Sequence, residues 1–600
     1  MRGWISGTTR PAGVALCVLV LGACGSSPPQ RAPVVTASAV TAQRPAPANA
    51  VMPATPVPAP QPVAPRPVLP PTPPVSAGPP VSAAITARFP EPAVSFDTPA
   101  FEPGRTAYTT NDEVRAILRG LERGGVDSLK GSAVAVLPLG ESQAGAPIDA
   151  LAFTRAPPIA PPPPTPAASD APSGIAAPMA PLHRPAVVII AGQHGDEPAG
   201  TEALLVIAQE LAAGRLDAVL DQVDVYLLPR VNPDGAALGQ RGAADGSDVN
   251  RDHVLLRTPE AQAVAQLVRN VAPVVVLDLH EYPVDADFAA RFGGVQRFDA
   301  LLQAATVANM RPFVARAAEE WFRVPLVANL GTAGFSTEWY YTLAADPADR
   351  KVSMGGVEPG IGRNAEGLRN AVSMLVETRG RGIGRTDFKR RVDVDVVAVR
   401  SVLGNAAAHA ADLVKLRQFV DRDVAAQACQ GEAVIEAAPT PSEKSLAMLD
   451  AATGAIEHVT VTWDSSLELR VLKSRPRPCG YWLAASESDA VRRLRLLGVE
   501  VQQIDEGGEV RGETYRETSR TPVDANGDGS MRLGVQMAPV LLDVAPGSYY
   551  VSLEQAFANL AIAALEPESP AGYAAHGVIG SVAAEARVLD RPRMHMVALP

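Results

Sequence analysis

The chain has 600 residues, 47% of them hydrophobic, and a formal net charge of −11. That length exceeds one compact domain, so at least two folded parts are expected, with real cores. The acidic balance excludes nucleic acid as the expected partner, because phosphate binding calls for clustered Lys and Arg.

The N-terminus reads as an export signal. Arg2 and Arg10 supply positive charge, and Val14 to Leu21 form an apolar run too short to span a bilayer. The run ends in Leu21-Gly22-Ala23-Cys24, which resembles a bacterial lipobox. Residues 1–24 are therefore expected to be a signal, with Cys24 lipidated as a membrane anchor in the bacterial envelope, in the outer membrane or periplasm. The alternative is an ordinary cleaved signal and a secreted protein. With Cys17 in the signal and Cys24 the anchor, Cys429 and Cys479 form an even pair in an oxidising compartment, where a disulfide persists.

Residues 25–91 are dominated by Pro, Ala, Val and Ser and read as an extended tether. A folded part is expected over 92–425. Thr110-Asn111-Asp112-Glu113 is a helix start, with a capping residue and acids in the first turn, and the helix runs to about Arg123. Strands are expected over Ser132–Leu139, Ile148–Thr154, Ala186–Gly192, Val223–Pro229 and Val274–Leu279, the last three as apolar β-branched runs suited to burial on both faces. Helical patterns fill Gly200–Ala213 and Pro259–Asn270, and a last helix is expected over Leu403–Asp421. A Pro-rich stretch, 156–185, reads as a surface loop insertion. This alternation predicts an α/β fold: a mixed, largely parallel central sheet with helices on both faces. After about Ala426 the texture shifts to short alternating segments such as His458–Trp463, so 426–600 reads as a smaller β-rich accessory domain. Within it, Asp524 to Gly529 looks like the start of a calcium loop, but Val535 stands where the twelfth-position acid belongs, and a polar turn is the better reading.

Ligands gather at the carboxyl ends of strands in open α/β sheets. The run AVVIIAG leads into Gln193-His194-Gly195-Asp196-Glu197, and VVVLDL leads into His280-Glu281-Tyr282. His194 and Glu197, three apart at a turn entering a helix, can aim an imidazole and a carboxylate at one point, and His280 adds a third ligand from another strand. Two His and one Glu plus water make an open catalytic zinc site. Taken singly, each residue is more simply a surface group beside a strand. Together, in a chain with eight histidines, they point to metal.

Five motifs in order carry a family likeness: HGDEPAG (194–200), RVNPDGA (230–236), DVNRD (248–252), DLHEY (278–282) and LVETRG (375–380). They resemble the zinc carboxypeptidase family, the funnelins. The likeness extends more loosely from Pro92 to Asp421 and leaves out the tether and the C-terminal region. It implies one zinc per chain on His194, Glu197 and His280. It implies that Asn250 and Arg251 clamp the terminal carboxylate of a peptide substrate, a task suited to the fixed fork of a guanidinium. Arg241 is the best match to the arginine that steadies the developing oxyanion, with Arg230 nearby as a rival. Glu377 matches the general base that activates water and returns a proton to the leaving amine.

The chain also departs from the family. No tyrosine occurs between Tyr341 and Glu377, where the family often carries a mobile one, so Tyr340 or Tyr341 is left as a substitute. Gly355 to Gly367 stands there instead, either a lid or a simple loop. If Arg363 within it points inward it favours an acidic terminal residue; otherwise it is a solvated arginine. The expectation is a zinc metallocarboxypeptidase acting on peptides with a free C-terminal carboxylate in the bacterial cell envelope. The alternatives are a cell-wall peptide amidase using the same zinc site, and a catalytically idle peptide-binding lipoprotein.

Overall fold

A computed structural model describes residues 82–128, 133–155, 184–284, 286–343, 350–523 and 531–599, all within one compact unit. The export signal, Cys24, nearly all of the tether, residues 156–183 of the Pro-rich stretch and the calcium-like turn at 524–529 lie outside the described residues.

The site-bearing half is built on an eight-stranded sheet. Its strands are β1 (Ala133–Glu141), β2 (Pro147–Thr154), β3 (Ala186–Ala191), β4 (Asp224–Leu228), β5 (Val275–Pro283), β6 (Ala300–Ala304), β7 (Thr337–Trp339) and β8 (Val372–Arg381). Their order across the sheet is β1-β2-β4-β3-β5-β8-β6-β7. The middle four, β4, β3, β5 and β8, run parallel; β1, β2 and β6 join antiparallel to their neighbours. This is the expected mixed sheet with a parallel centre. β3 is wholly buried, as its unbroken apolar run requires, and β5 and β8 are nearly so although they carry the polar residues of the site.

Helices α1 (Asn111–Ser128), α2 (Ala199–Ala212), α3 (Pro259–Val271), α4 (Gly362–Leu368), α5 (Phe388–Ala408) and α6 (Ala410–Ala425) flank the sheet. The start of α1 is a reciprocal cap: Glu113 N donates to Thr110 Oγ1 at 3.3 Å and Thr110 N donates to Glu113 Oε2 at 2.8 Å. The last helix expected over 403–421 is instead two helices, α5 and α6, meeting at His409 and beginning at Phe388. The start is hidden because valines alternate with Asp and Arg over 390–396. The helix buries Arg390, Arg391 and Asp395, so charge does not mark its solvent face.

Two boundaries also move. Ser82–Pro90, assigned to the tether, lies on the folded body: Ile85 and Phe89 pack with Leu449, and Arg88 Nε donates to Gly454 O at 2.7 Å. Two apolar side chains suffice to dock a segment whose average composition reads as extended. The C-terminal region is β-rich, as expected, but it does not stand apart as a domain. Its long hairpin, Glu432–Asp450 and Ile456–Pro476, pairs with Gly294–Gln296 and with Lys351–Ser353 of the site-bearing half. One hydrophobic core runs through both halves, and Tyr573 Oη donates to Val254 O at 3.1 Å across the expected border.

Candidate metal centre

β3 delivers the first two residues of the site. Past its end, Gly192 adopts φ +65°, a left-handed conformation that suits glycine, and the chain turns into α2. Gly195 lies so close to the Pro233–Leu238 helix that a Cβ there would fall 1.9 Å from Gly235 C. This close approach fixes the turn that carries His194 and Glu197. The next strand, β5, carries His280, and β8 pairs Glu377 with His280 in register.

His194, Glu197 and His280 are buried, and one ligand atom from each lies within 4.8 Å of the others. His194 Nδ1 is 2.8 Å from Glu197 Oε1, His280 Nδ1 is 2.8 Å from Glu197 Oε2, and the two Nδ1 atoms are 3.1 Å apart. Each imidazole turns its other nitrogen to a carboxylate: His194 Nε2 is 3.2 Å from Asp248 Oδ1, and His280 Nε2 is 3.1 Å from Asp278 Oδ2. A carboxylate on Nε2 keeps the proton there and leaves the Nδ1 lone pair facing inward, the arrangement usual for metal-bound histidine. Two nitrogen donors and one carboxylate, converging and buried, suit zinc. Burial alone would raise the Glu197 carboxyl, but the two imidazoles hold it well below the usual carboxylate range. Burial likewise opposes charge on His280, yet Asp278 and Glu197 hold its pKa well above the ordinary value.

Arg241 borders this trio. Its Nη1 is 3.1 Å from His194 Nδ1 and 3.4 Å from Glu197 Oε1, while Nε and Nη2 donate to Asp248 Oδ2 at 3.1 and 3.0 Å. Arg230 is directed elsewhere, donating to Asn111 Oδ1 and Thr109 O at 2.9 and 3.0 Å, so of the two arginines only Arg241 adjoins the trio. Glu377 is buried, and burial pushes its carboxyl up to about 7, opposed by His280 and reinforced by the charge of Glu197. Asn250 is buried, and its Oδ1 accepts from Gly362 N at 2.8 Å, while Nδ2 lies 3.1 Å from the ring of His280. Arg251 is exposed, and Nη1 donates to Asn250 O at 2.9 Å.

The two candidate tyrosines separate. Tyr341 is 1% exposed inside a second apolar cluster with Phe288 and Trp463, away from the trio. Tyr340 is half-buried, and burial, reinforced by the charge of Glu377, pushes its phenol up. Arg363, open between an inward and a solvated reading, is buried. Asp248 and Asp278 were not singled out from the sequence, although the signal was there. Asp278 precedes His280 by two residues on a strand, which places both side chains on one face. Gln193 Nε2 then donates to Asp278 Oδ2 at 2.7 Å, and His253 Nε2 is 2.7 Å from Gln193 Oε1, so the orienting network reaches back into the core.

A family profile described as zinc carboxypeptidase matches residues 126–284, a span that holds the trio, Arg241 and Arg251. Carboxypeptidase 2 of Trichophyton rubrum is 29% identical over 398 residues, covering 65% of this chain and 73% of that protein. Carboxypeptidase D of Mus musculus is 32% identical over 182 residues, which is 25% of this chain and 13% of that protein. Among solved structures, a metallo-carboxypeptidase from Pseudomonas aeruginosa in complex with (2-guanidinoethylmercapto)succinic acid aligns over 50% of this chain and 68% of its own at 20% identity, with a TM-score of 0.33. Residues 126–284 thus carry a zinc carboxypeptidase domain match, and the similarity to metallocarboxypeptidases supports reading the chain as one.

Proposed function

We propose that this metallocarboxypeptidase removes the C-terminal residue of peptides in the bacterial cell envelope, held at the membrane by a lipid on Cys24. The observation that carries the chemical part is the register of β8 against β5. It sets the buried carboxyl of Glu377 opposite His280, beside three converging metal donors and a guanidinium.

His194, Glu197 and His280 would hold one zinc. Zinc, when bound, supplies a Lewis acid that acidifies a coordinated water and polarises the scissile carbonyl. Glu377 takes the proton of the attacking water on a carboxylate oxygen and passes it to the nitrogen of the leaving amine. Burial raises this carboxyl above its ordinary value, toward the range suited to both taking and returning a proton. Arg241 donates to the oxygen on which negative charge develops. Arg251 and Asn250 clamp the free carboxylate of the terminal residue, with their turn held by the Asn250 Oδ1 contact to Gly362 N.

A digest of mixed linear peptides and purified cell-wall peptides by zinc-loaded protein, read by mass spectrometry, tests the reading. Loss of single C-terminal residues is the expected result. Cleavage confined to bonds beside D-amino acids or diaminopimelate would replace it with the amidase, and no cleavage at all would leave a peptide-binding protein. In the same assay Arg251→Ala should impair free C-terminal peptides far more than their amides, by about 2–5 kcal/mol of transition-state stabilisation. Equal losses on both would remove Arg251 from the clamp.

A further inference from the structure

The loop between Lys351–Ser353 and α4 delivers a cation that the proposed chemistry does not use. Arg363, near the start of α4, is 4% exposed. Nη2 donates to Gly356 O at 2.7 Å, while Nε is buried without a partner. Among the described residues no carboxylate forms an ion pair with it. Holding one loop carbonyl needs a donor, not a charge, so a structural role does not account for a guanidinium. A buried cation is costly unless a counter-charge meets it, and arginine does not shed its proton to escape that cost.

The surroundings say where a counter-charge would come from. Gly362 N donates to Asn250 Oδ1 at 2.8 Å and His253 N donates to Gly360 O at 3.1 Å, so the loop is fastened to the turn that carries Arg251. The Arg363 guanidinium carbon is 5.9 Å from the ring centre of Tyr340, itself half-buried beside Glu377. Burial pushes the Arg363 pKa down; the Tyr340 phenol opposes this and the like charge of Arg251 adds to it. Two guanidiniums thus border one side of the site, Arg251 exposed and Arg363 buried.

We propose that Arg363 determines specificity and that the terminal residue selected is acidic, a C-terminal glutamate or aspartate with its α-carboxylate on Arg251 and its side-chain carboxylate on Arg363. This rests on the carboxypeptidase reading above. The side-chain carboxylate supplies the missing counter-charge.

The experiment compares zinc-loaded full-length exported protein on four blocked dipeptides that differ only in the last residue: Glu, Gln, Leu and Lys. The Glu peptide should exceed its near-isostere Gln by about 100-fold in kcat/KM, the scale of a buried charge pair made or left unmade. Arg363→Met, which keeps the apolar stem, should bring that ratio close to one. Arg363→Lys, which keeps the charge but not the fork, should retain a reduced preference for Glu. Release of Gln or Leu at rates equal to or above Glu by the wild type overturns the assignment while leaving the carboxypeptidase reading intact. So does a Glu preference that survives Arg363→Met. No release from any of the four peptides refutes the carboxypeptidase reading itself. If Arg363→Met does not fold, as judged by its zinc content and circular dichroism, the wild-type ratio and the lysine variant decide the matter.

Discussion

Glu377 and Glu281 are both buried carboxyls near the ends of neighbouring strands, and their partners tell them apart. Glu281 Oε1 accepts from Ala199 N at 2.6 Å and Oε2 accepts from Arg391 Nη1 at 2.5 Å, so both oxygens are occupied in holding α2 and α5 to β5. Glu377 has no ion-pair partner among the described residues and faces the metal donors. Glu377→Gln should therefore keep the fold, the zinc and peptide affinity, because the amide is nearly isosteric. It should lose about 10²–10⁴-fold in turnover, because an amide cannot take a proton from water. Zinc content, peptide affinity and turnover number are measured together. A variant within about tenfold of wild-type turnover is too active for general-base catalysis by this residue, and one that loses zinc makes Glu377 a structural group or a ligand. At this scale the metal donors were legible because motif spacing and strand ends say where a side chain starts. The commitment of the Asn250 amide was not legible: its Oδ1 accepts from Gly362 N, on a loop 112 positions away in sequence. Arg363 was open for the same reason, since the glycine-rich segment 355–367 gives no periodicity from which to read direction.

Among the elements, the turn from β3 into α2 is the most constrained. Its two ligands are held three residues apart by a backbone that touches another backbone at Gly195, where an added Cβ would fall 1.9 Å from Gly235 C and 2.2 Å from Ala236 N. Neither neighbour is the far end of a flexible side chain, so one segment has to move. Asn232 resists that movement, since its Nδ2 donates to Gln193 O at 3.2 Å and its Oδ1 accepts from Gly235 N at 2.8 Å. Gly195→Ala should displace His194 and Glu197 from His280, lower zinc occupancy sharply in elemental analysis, and cost at least about 1–3 kcal/mol of stability, the usual range for overpacking. Full zinc occupancy at an unchanged melting temperature would show that the contact is not a constraint. The strands around this turn were legible, because burial on both faces writes an unbroken apolar run. α5 was not, because its inward side carries charge. Arg390 Nε donates to Asp299 Oδ1 at 2.6 Å and Arg391 pairs with Glu281, so the polar residues that ordinarily mark an outer face lie inside.

For the whole molecule, the question is what joins the C-terminal region to the catalytic half. The sequence placed a domain border near residue 426 because composition changes there, but composition does not report which strands pair. The Glu432–Pro476 hairpin crosses that border. Leu446, Met448, Val461 and Trp463 share one apolar cluster with Tyr282, Tyr341, Val352 and Met354. The hairpin thereby supports Lys351–Ser353, the strand that leads to Arg363. The disulfide between Cys429 and Cys479 closes the chain around this hairpin, with the two Cα atoms 4.2 Å apart and a sequence separation of 50. Loop closure of that length restricts the unfolded chain by roughly 4 kcal/mol in the chain-entropy account. A Cys429→Ala, Cys479→Ala double variant, which leaves no lone thiol to react, should therefore unfold at lower denaturant, with a loss of up to about 4 kcal/mol. In a background where Trp321, Trp339 and Trp482 are replaced by Phe, the buried indole of Trp463 offers a fluorescence reading of the hairpin itself. If the bridge acts through this hairpin, the tryptophan signal should shift at least as far as the signal of global secondary structure, and zinc should be retained until both have moved. Identical midpoints for the oxidised wild type and the double variant would mean that the bridge adds nothing to a hairpin already held by its apolar face. Two alkylatable thiols in denatured, unreduced wild-type protein would remove the bridge altogether.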